Sequence, residues 1–495
     1  MFLDSGPVPR RPRKTGPQAG GGAGMDQPDI VIVGAGTAGM PCAIEAVAAG
    51  ARVLVVDQAD RPGGTLHVSL GQLSGAGSRL QAARGIADTA AAHLDDIARI
   101  NRGTGHAGLL ARTTAGQGAT IDWLMDHGFA MDPACPAILH LHEAYRTART
   151  YWGVEGGVSV LRVLEPLFAS AMAQPGAELR HGTRLTGLEQ DEDGRVTGVR
   201  LDAGQVVSAR AVVLATGGYG GSPDMFARLT GGRRLVTAAM PGSDGSGIAL
   251  ALGAGAALSC PDMFLPTYAA VAPPPGEYRV AWRQMPALTP QSRQPWELHL
   301  DPAGARFVRE DDDSVDRREH ALNALPDLSF WCVMDDAVWA ATPPLLPGWT
   351  AAELSQAWAA HPSFVRADSL AGLAQATGMD AGTLAASVAG YNAGVTQGAP
   401  DPMGRTHRPQ PLAGPGWRAI RMHGMVLKTP SGITVDDRLR ALRPDGTVIP
   451  GLFAVGECIG GSTLSGKGFV SGMSVTPALT LGRWLGRTLA QEIKA

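Results

Sequence analysis

The chain has 495 residues and a mass of 51.2 kDa, which is enough apolar sequence for two or three domains with a substantial core. Its net charge of −3 lacks the basic excess that is typical of nucleic-acid-binding proteins, and no window approaches the about 18 to 20 consecutive apolar residues that span a bilayer. The composition therefore argues against a nucleic-acid partner and predicts no membrane span.

Cysteine and histidine spacing gives no sign of a metal centre. The five cysteines form no CxxC motif, which removes the ligand pattern of zinc ribbons, dithiol redox centres and attached haem. His140 and His142 alternate around Leu141 without a third ligand, so we interpret them as polar residues of a strand or loop. An odd number of unpaired cysteines is typical of the reducing cytosol, which predicts a cytoplasmic protein without a metal site.

The N-terminal segment, residues 1–25, combines four basic residues at positions 10–14 with glycine and proline. Such a composition cannot bury enough apolar surface to offset the entropy lost on ordering, so we predict a disordered tail. Residues 18–24 are polar and rich in glycine, and they lack the apolar stretch of an export signal.

The next segment has the pattern of a strand, a turn, a helix and a second strand. Residues 29–33 are apolar, residues 34–39 read Gly-Ala-Gly-Thr-Ala-Gly, residues 40–49 have helical spacing, and residues 52–56 are apolar again. This order is typical of a dinucleotide-binding unit, in which the helix N-terminus faces the pyrophosphate.

Each glycine of that turn has its own mechanical task. Gly34 permits the tight turn, Gly36 lets the backbone approach a pyrophosphate, and Gly39 allows the helix to pack closely on the strand. Asp57 follows Gly39 by 18 residues, where an acidic side chain can bind ribose hydroxyls and would repel a 2′-phosphate. The spacing therefore predicts a bound nucleotide.

Further along the chain, two more apolar runs predict strands that return to the same sheet. They cover residues 211–215 and 451–455, and each is followed or ended by a glycine motif. Between them, residues 262–428 are richer in tryptophan, proline and charge, which we interpret as an inserted substrate domain. Residues 476–492 have the apolar spacing of a final helix.

Several short blocks resemble the flavoprotein family of fumarate reductases, succinate dehydrogenase flavoprotein subunits and 3-ketosteroid dehydrogenases. The blocks occur in the family's order, and they include the glycine turn, Ala215-Thr216-Gly217-Gly218, Ser243-Asp244-Gly245-Ser246-Gly247 and residues 449–457. The resemblance implies bound FAD and an α/β fold with a discontinuous Rossmann-type FAD-binding domain, residues 26–260 and 429–495. It also implies an inserted α+β capping domain, residues 261–428, that closes over the isoalloxazine ring.

The resemblance also implies the residues that contact FAD. They are Gly34, Gly36, Ala38, Gly39, Asp57, Gln58, Gly64, Thr65, Ser69, Gly71, Leu185, Thr216, Gly217, Asp244, Gly456, Glu457, Gly472, Ser474 and Val475. Glu457 would accept from ribityl hydroxyls, and the helix after Ser474 would meet flavin N1 and O2 with its positive end. Thr65, and not His67, falls where some relatives attach FAD to histidine, so we expect noncovalent FAD.

Departures from the family argue against a C4 dicarboxylate substrate. Leu265 replaces the histidine of a His-Pro-Thr motif, Pro290 replaces the glutamate of a Thr-Glu motif, and Lys428 stands where a second histidine binds carboxylate. Arg293 is retained. Paired carboxylates in a dehydrated site need charge-assisted partners, and several of these are missing here.

Four residues are candidates for handling the substrate proton or polarising its carbonyl. Two of the chain's four lysines, Lys428 and Lys467, lie in blocks that the resemblance places near the flavin, although both also fit as solvated cations. Arg317 lies near the proton-delivering arginine of fumarate reductases. Tyr151 could donate a hydrogen bond or pack in the core. Phe469 stands where ketosteroid-type dehydrogenases carry a tyrosine, which puts a steroid in doubt.

We therefore predict an FAD-dependent dehydrogenase that introduces a C=C bond next to a carbonyl in a bulky, cyclic small molecule. Its partners would be that substrate and an unidentified electron acceptor. Reduction of an activated alkene is the alternative direction. An FAD-binding protein without turnover, and an oxidase or monooxygenase, remain open as further classes.

Overall fold

The computed structural model describes residues 27–495, so the predicted tail, residues 1–25, lies outside the described residues. In chain order the strands are β1 (Ile30–Val33), β2 (Val53–Val56), β3 (Leu73–Ser74), β4 (Thr150–Tyr151), β5 (Ala177–Arg180), β6 (Leu185–Gln190), β7 (Val196–Leu201), β8 (Val206–Ser208), β9 (Ala211–Leu214), β10 (Leu258–Ser259), β11 (Thr267–Val271), β12 (Leu298–Leu300), β13 (Ser329–Asp335), β14 (Phe364–Ala367), β15 (Trp417–Met425), β16 (Gly432–Ile433), β17 (Arg440–Leu442) and β18 (Val448–Ala454).

The helices, in the same order, are α1 (Gly39–Ala48), α2 (Arg79–Ala83), α3 (Ala90–Asn101), α4 (Ala107–Asp126), α5 (Gly157–Met172), α6 (Pro223–Leu229), α7 (Ser246–Gly253), α8 (Val315–Asn323), α9 (Asp336–Ala341), α10 (Ala351–Ala360), α11 (Leu370–Thr377), α12 (Ala381–Gln397), α13 (Gly461–Ser465) and α14 (Val475–Lys494). None of the helices in residues 27–495 combines the length and apolarity required to cross a bilayer.

The first sheet has the strand order β17-β18-β9-β1-β2-β5. Strand β1 pairs in parallel with β2 and β9, and β9 pairs in parallel with β18. Every residue of β1, β2 and β9 is buried, as expected for parallel strands with both faces covered. The sheet confirms the prediction that distant parts of the chain return to one Rossmann-type sheet.

The strand β18 begins earlier than the sequence suggests. We predicted residues 451–455, whereas the strand spans Val448–Ala454 and includes Pro450 and Gly451. Its partner β17 is an antiparallel edge strand whose register shifts between Arg440 and Leu442. Gly451 has φ +79°, and a Cβ there would lie 2.1 Å from the Val196 carbonyl oxygen. The irregular pairing of β18 with the edge strand β17 tolerates Pro450, and the close approach to Val196 requires glycine at 451. Two residue types that normally end a strand therefore lie inside β18.

A second sheet is formed by strands that lie, along the chain, between β9 and β17 of the first sheet. Its antiparallel order is β11-β15-β13-β12, with β14 also paired to β15. It has its own buried core, which includes Leu298, Phe330 and Ile420. Its strands fall within residues 267–425, inside the segment that we interpret as an inserted domain. The boundaries of the capping domain at residues 261 and 428 remain predictions. Its closure over the isoalloxazine ring also remains a prediction.

The five cysteines are all free thiols. Four are buried, and Cys260 is half-buried. Burial raises the pKa of the Cys42 thiol to about 12 and that of Cys458 to about 11, so both are unreactive packing residues.

Candidate functional site

A cavity of about 390 Å³ opens at the carboxyl ends of β1, β2, β9 and β18. Its wall includes Gly34 after β1, Asp57 after β2 and Val455 after β18, together with Tyr268 of β11 and Lys428 after β15. The cavity is therefore shared by the first and second sheets. Ligands of parallel α/β sheets bind at this edge, and the volume is within the range of small-molecule sites.

The glycine turn after β1 has the geometry expected for approach by a phosphate. Gly34 has φ +103°, and a Cβ there would lie 2.4 Å from the Ala215 carbonyl oxygen. A Cβ on Gly39 would lie 1.8 Å from the Gly34 oxygen, so α1 packs directly on the turn. A Cβ on Gly36 would have no atom within 4 Å. The turn is thus tightly packed at Gly34 and Gly39 and open at Gly36, which lines the cavity.

Asp57 fixes this turn from the end of β2. Its Oδ2 accepts a hydrogen bond from the Ala35 amide at 2.6 Å, and its Oδ1 accepts one from the Ala59 amide at 2.8 Å. Each carboxylate oxygen can accept a second hydrogen bond, for example from a ribose hydroxyl. The neighbouring Gln58 lines the cavity and donates from Nε2 to the Gly242 carbonyl at 2.8 Å.

Two helices begin at the cavity without side-chain caps. Helix α1 follows Ala38 and α14 follows Ser474, neither start carries a side-chain cap hydrogen bond, and both of these residues line the cavity. Uncapped helix starts present free amides and a positive dipole end to anionic or carbonyl oxygens. These features, with the open side at Gly36, fit the pyrophosphate and the flavin carbonyl edge of FAD.

Glu457 adds an acceptor to the same wall. Its Oε1 accepts from the Thr429 amide at 2.7 Å and from the Thr429 hydroxyl at 2.9 Å. Burial raises the pKa of Glu457, although the Thr429 hydrogen bonds act in the opposite direction. Glu457 is positioned by this pairing and is able to accept a further hydroxyl.

Most of the residues predicted to contact FAD line this cavity. They are Gly34, Gly36, Ala38, Asp57, Gln58, Gly64, Thr65, Ser69, Leu185, Thr216, Gly217, Gly456, Glu457, Gly472, Ser474 and Val475.

Gly39, Gly71 and Asp244 are not among the residues that line the cavity. Gly71 packs where a Cβ would lie 2.4 Å from the Gly156 carbonyl carbon, and Asp244 forms a partly exposed ion pair with Arg184 at 2.9 Å. Their contact with FAD remains a prediction.

The cavity wall also contains apolar side chains from the loop before β4, the segment between β11 and β12, the segment after β15 and the loop after α13. Its apolar residues include Leu141, Met285, Leu427 and Phe469. Within the described residues, Lys428 is the one lysine or arginine that lines the cavity. One half-buried cation beside apolar side chains suits a substrate with a single polar oxygen.

Lys428 is held by neutral partners. Its Nζ donates to the Ser465 hydroxyl and lies 4.2 Å from the centre of the Phe469 ring. Across the described part of the chain, no carboxylate forms an ion pair with it. Burial lowers the pKa of Lys428 to about 8, which leaves it mostly protonated at neutral pH.

His142 is a site residue that the sequence interpretation missed. It lies in a loop, as expected, but it is buried in the cavity wall and stacks on Phe469 at a ring separation of 3.6 Å. Burial lowers the pKa of His142 to about 3. A parallel bridge between Glu143 and Val470 brings this loop to the site, and such a long-range pairing leaves no local sequence signal.

The structure does not bring Lys467 or Arg317 to the cavity. Lys467 is exposed, and it participates through its backbone: its carbonyl accepts from His320 Nε2 at 2.9 Å and its amide donates to the Thr104 hydroxyl at 2.8 Å. The Arg317 side chain is 63% exposed and pairs with Asp312 at 2.5 Å. Both side chains are therefore solvated cations. For Lys467 this was the alternative to a position near the flavin.

Tyr151 is also placed away from the cavity. It is fully buried in β4, with its hydroxyl 2.7 Å from the Ser78 hydroxyl and 3.1 Å from the Gly75 carbonyl. Burial raises the pKa of Tyr151. The structure thus agrees with the packing interpretation of this residue, and Lys428 is the one of the four candidates that lines the cavity.

Arg293, retained from the fumarate reductase pattern, does not face the cavity either. Its guanidinium makes two hydrogen bonds to Glu297, at 2.8 and 2.9 Å, and others to Thr342 and the Pro343 carbonyl, both at 2.8 Å. The side chain is 3% exposed. Its donors are therefore committed to Glu297, Thr342 and Pro343 and not to a substrate carboxylate.

Glu297, His299 and Cys332 form a buried cluster whose ligand atoms lie within 4.8 Å of one another. Glu297 is engaged by Arg293, and His299 Nδ1 lies 2.9 Å from the hydroxyl of Tyr268. The Arg293 guanidinium already pairs with the Glu297 carboxylate, so that carboxylate is not free for a metal ion. The hydrogen bond with His299 holds Tyr268 in the cavity wall.

Comparison with known proteins is consistent with this geometry. Residues 29–467 match a family model described as an FAD binding domain. The chain is 26% identical over 477 residues to the fumarate reductase (cytochrome) of Shewanella frigidimarina, covering 95% of this chain and 78% of that protein. It is 30% identical over 307 residues to the vinyl phenol reductase of Lactiplantibacillus plantarum, covering 61% and 59%.

Among solved structures, the 3-ketosteroid delta1-dehydrogenase of Sterolibacterium denitrificans superimposes with a TM-score of 0.71 at 19% identity. The match covers 94% of this chain and 100% of that one, which demonstrates a shared fold.

Proposed function

The chain belongs to the FAD-binding flavoprotein family of fumarate reductases and ketosteroid dehydrogenases, which act on CH–CH groups, and we propose that it is a dehydrogenase of a bulky, cyclic carbonyl compound. It would introduce a C=C bond next to the carbonyl. The FAD would be bound without a covalent link, because Thr65 has no ring nitrogen to attach it.

The observation that carries this proposal is that one half-buried cation, Lys428, is the lysine or arginine that lines the cavity in the described part of the chain. Two dehydrated carboxylates would each need a charged partner, whereas one carbonyl oxygen needs one donor. Lys428 supplies that donor, and Leu141, Leu427 and Phe469 supply apolar surface around it. A neutral ring compound with one carbonyl therefore fits this wall better than a dicarboxylate.

Lys428 would bind the carbonyl oxygen and stabilise the enolate-like charge that develops as the α proton leaves. Ser465 accepts from the ammonium and fixes its direction. When bound, FAD would be the oxidant for the hydride that the β carbon loses. Exclusion of water by the apolar wall strengthens the interaction between the ammonium and the developing charge.

Anaerobic mixing of the FAD-loaded protein with 4-phenylcyclohexanone tests the proposal. We expect bleaching of the flavin absorbance and formation of 4-phenylcyclohex-2-enone, detected by mass spectrometry. Saturated carbocycles without a carbonyl should give no bleaching. A flavin that is photoreduced normally, but is bleached by no ketone of a broad panel, would instead support an FAD-binding protein without turnover.

Reduction of an activated alkene is the second candidate, and the similarity to a vinyl phenol reductase favours it. The test is to photoreduce the enzyme anaerobically and add 4-vinylphenol or the cyclohexenone. If the alkene reoxidises the reduced flavin faster than the ketone bleaches the oxidised flavin, the enzyme is assigned as a reductase. Rapid reoxidation in air with formation of peroxide would assign an oxidase.

A further inference from the structure

Behind the cavity wall, a row of buried acidic and imidazole groups leads from His142 to the surface along α8. We propose that His142 and Glu319 form a proton relay that carries the substrate's α proton between the cavity and solvent. The relay rests on the proposed function for its substrate, but the two groups and their route outward are features of this chain.

The first link is the contact between His142 and Glu319. His142 Nδ1 lies 3.8 Å from Glu319 Oε1, and both side chains are buried. Neither of these two atoms has a hydrogen-bond partner among the described residues. Unsatisfied polar atoms are costly in a dry interior, so two that face each other point to a hydrogen bond that forms during function.

The second link follows α8 outward. Asp316 lies one helical turn before Glu319 on the same face. Its Oδ1 lies 3.4 Å from His320 Nε2, and its Oδ2 accepts from Arg102 at 2.5 Å. The side chains of His320 and Arg102 are 29% and 51% exposed, so solvent reaches this end of the row.

The charges around Glu319 suit a group that both accepts and donates a proton. The groups that face it are His142 from the cavity loop, Lys428 from the segment after β15, Asp316, Arg318 and His320 from its own helix, and the backbone amide of Tyr268.

Burial, reinforced by the Asp316 carboxylate, raises the pKa of Glu319 to about 8. A carboxyl that is protonated at neutral pH can release its own proton outward while it receives another.

The transfer is balanced as follows. The α carbon of the substrate would lose H⁺ to His142 Nε2, the electron pair of that C–H bond would form the double bond, and bound FAD would be the oxidant for the hydride lost from the β carbon. His142 would pass its Nδ1 proton to Glu319 Oε1, and exchange with water after the product leaves would return a proton from Nε2 to Nδ1 before the next turnover. Glu319 releases its proton towards Asp316, His320 and solvent. Lys428 remains protonated throughout and holds the carbonyl oxygen.

The pairing can be tested without a substrate. Histidine labelled with ¹³C at Cε1 in the FAD-loaded protein reports the environment of His142, and His142→Gln assigns its signal. The titration is measured in Lys428→Met, because Lys428 also has a pKa near 8 and contacts the same Phe469 ring. In that background we expect the signal to shift with an apparent pKa near 8 as Glu319 ionises, and the shift should be absent when Glu319→Gln is added. It should persist in Glu143→Gln, a matched carboxylate-to-amide change at a residue that contacts α8 through the Ser314 hydroxyl at 2.8 Å.

The same titration step in the double variant Lys428→Met and Glu319→Gln, or no titration step in Lys428→Met alone, would overturn the pairing. A retained flavin spectrum shows that each variant is folded.

The functional role is tested by the rate of flavin reduction with 4-phenylcyclohexanone as a function of pH. Loss of a proton carrier should lower the rate of Glu319→Gln about 100-fold or more without loss of FAD. A fall in rate above pH 8 should remain in this variant, because Lys428 loses its charge there. Glu143→Gln should stay within about twofold of the wild type. A wild-type rate in Glu319→Gln would overturn the relay. Failure of the wild type to react would contradict the proposed function alone, because the nuclear magnetic resonance titration still decides the pairing.

Discussion

Lys428 Nζ lies 4.2 Å from the centre of the Phe469 ring, and His142 stacks on the same ring at 3.6 Å. Phe469 thus joins a cation and an imidazole into one wall of the cavity. A cation over an aromatic face is stabilised without a carboxylate, so Lys428 keeps its charge available for a substrate oxygen. In the proposed reaction the two polar residues would have different tasks, charge stabilisation for the lysine and proton transfer for the histidine.

Lys428→Met should slow flavin reduction by the ketone about 100-fold or more, because a cation aimed at developing enolate charge contributes a few kcal/mol to the transition state. FAD content should stay at the wild-type level. Lys467→Met is the matched control and should react at the wild-type rate, since Lys467 is exposed and outside the cavity. Stopped-flow absorbance under anaerobic conditions measures both. A slow Lys467→Met with a normal Lys428→Met would assign the role to Lys467, the other lysine among the sequence-based candidates.

Lys428→Met should also stabilise the protein at pH 7. Burial lowers the pKa of Lys428 from 10.5 to about 8, so between these values the unfolded chain binds more protons and stability rises with pH. Below pH 8 the folded state carries the full cost of a buried charge, on the order of 3 kcal/mol for this shift.

Urea unfolding at pH 7 and at pH 10 measures the difference in unfolding free energy between Lys428→Met and the wild type. The gain should shrink at pH 10. An equal gain at both pH values would mean that packing, and not charge, is responsible.

The first sheet and its glycine turn were predictable because their signals are local. Four-residue apolar runs and a Gly-Ala-Gly-Thr-Ala-Gly turn determine β1, α1 and β2 within a short stretch of chain. The position of Lys467 was not predictable, because the backbone turns at Gly466, which has φ +54°, and the lysine faces solvent. The contact between His142 and Glu319 joins the loop before β4 to α8, which lie far apart in the chain, and no spacing rule relates such residues.

Gly36→Leu and Gly39→Leu should separate FAD binding from folding. A side chain at Gly36 meets no protein atom within 4 Å and enters the cavity, so it should abolish FAD binding while the urea midpoint of the FAD-free protein stays unchanged. At Gly39 the first carbon would lie 1.8 Å from the Gly34 oxygen, so that variant should lose stability or fail to fold. Flavin absorbance and circular dichroism distinguish the two. Full FAD content in Gly36→Leu would contradict the placement of the pyrophosphate.

One FAD per chain should be released by acid precipitation. Thr65 lines the cavity at the position where some relatives carry a linking histidine, and His67 Nε2 is engaged with the Pro62 carbonyl at 2.8 Å outside the cavity wall. We therefore expect the yellow colour in the supernatant, quantified by flavin absorbance against protein concentration. Colour in the washed pellet would indicate a covalent link, and a colourless folded protein would contradict both predictions.

Succinate and fumarate should not react. A dicarboxylate needs a charged partner at each end once water is excluded. Lys428 provides one, but the donors of Arg293 are committed to Glu297, Thr342 and a backbone carbonyl. Anaerobic mixing of the oxidised enzyme with excess succinate should leave the flavin absorbance unchanged, and fumarate should not reoxidise the photoreduced enzyme. 4-Phenylcyclohexanone is the positive control. If fumarate reoxidised the flavin faster than the cyclohexenone did, the chain would need a second carboxylate partner that the described residues do not supply, and the case for a neutral ring substrate would fail.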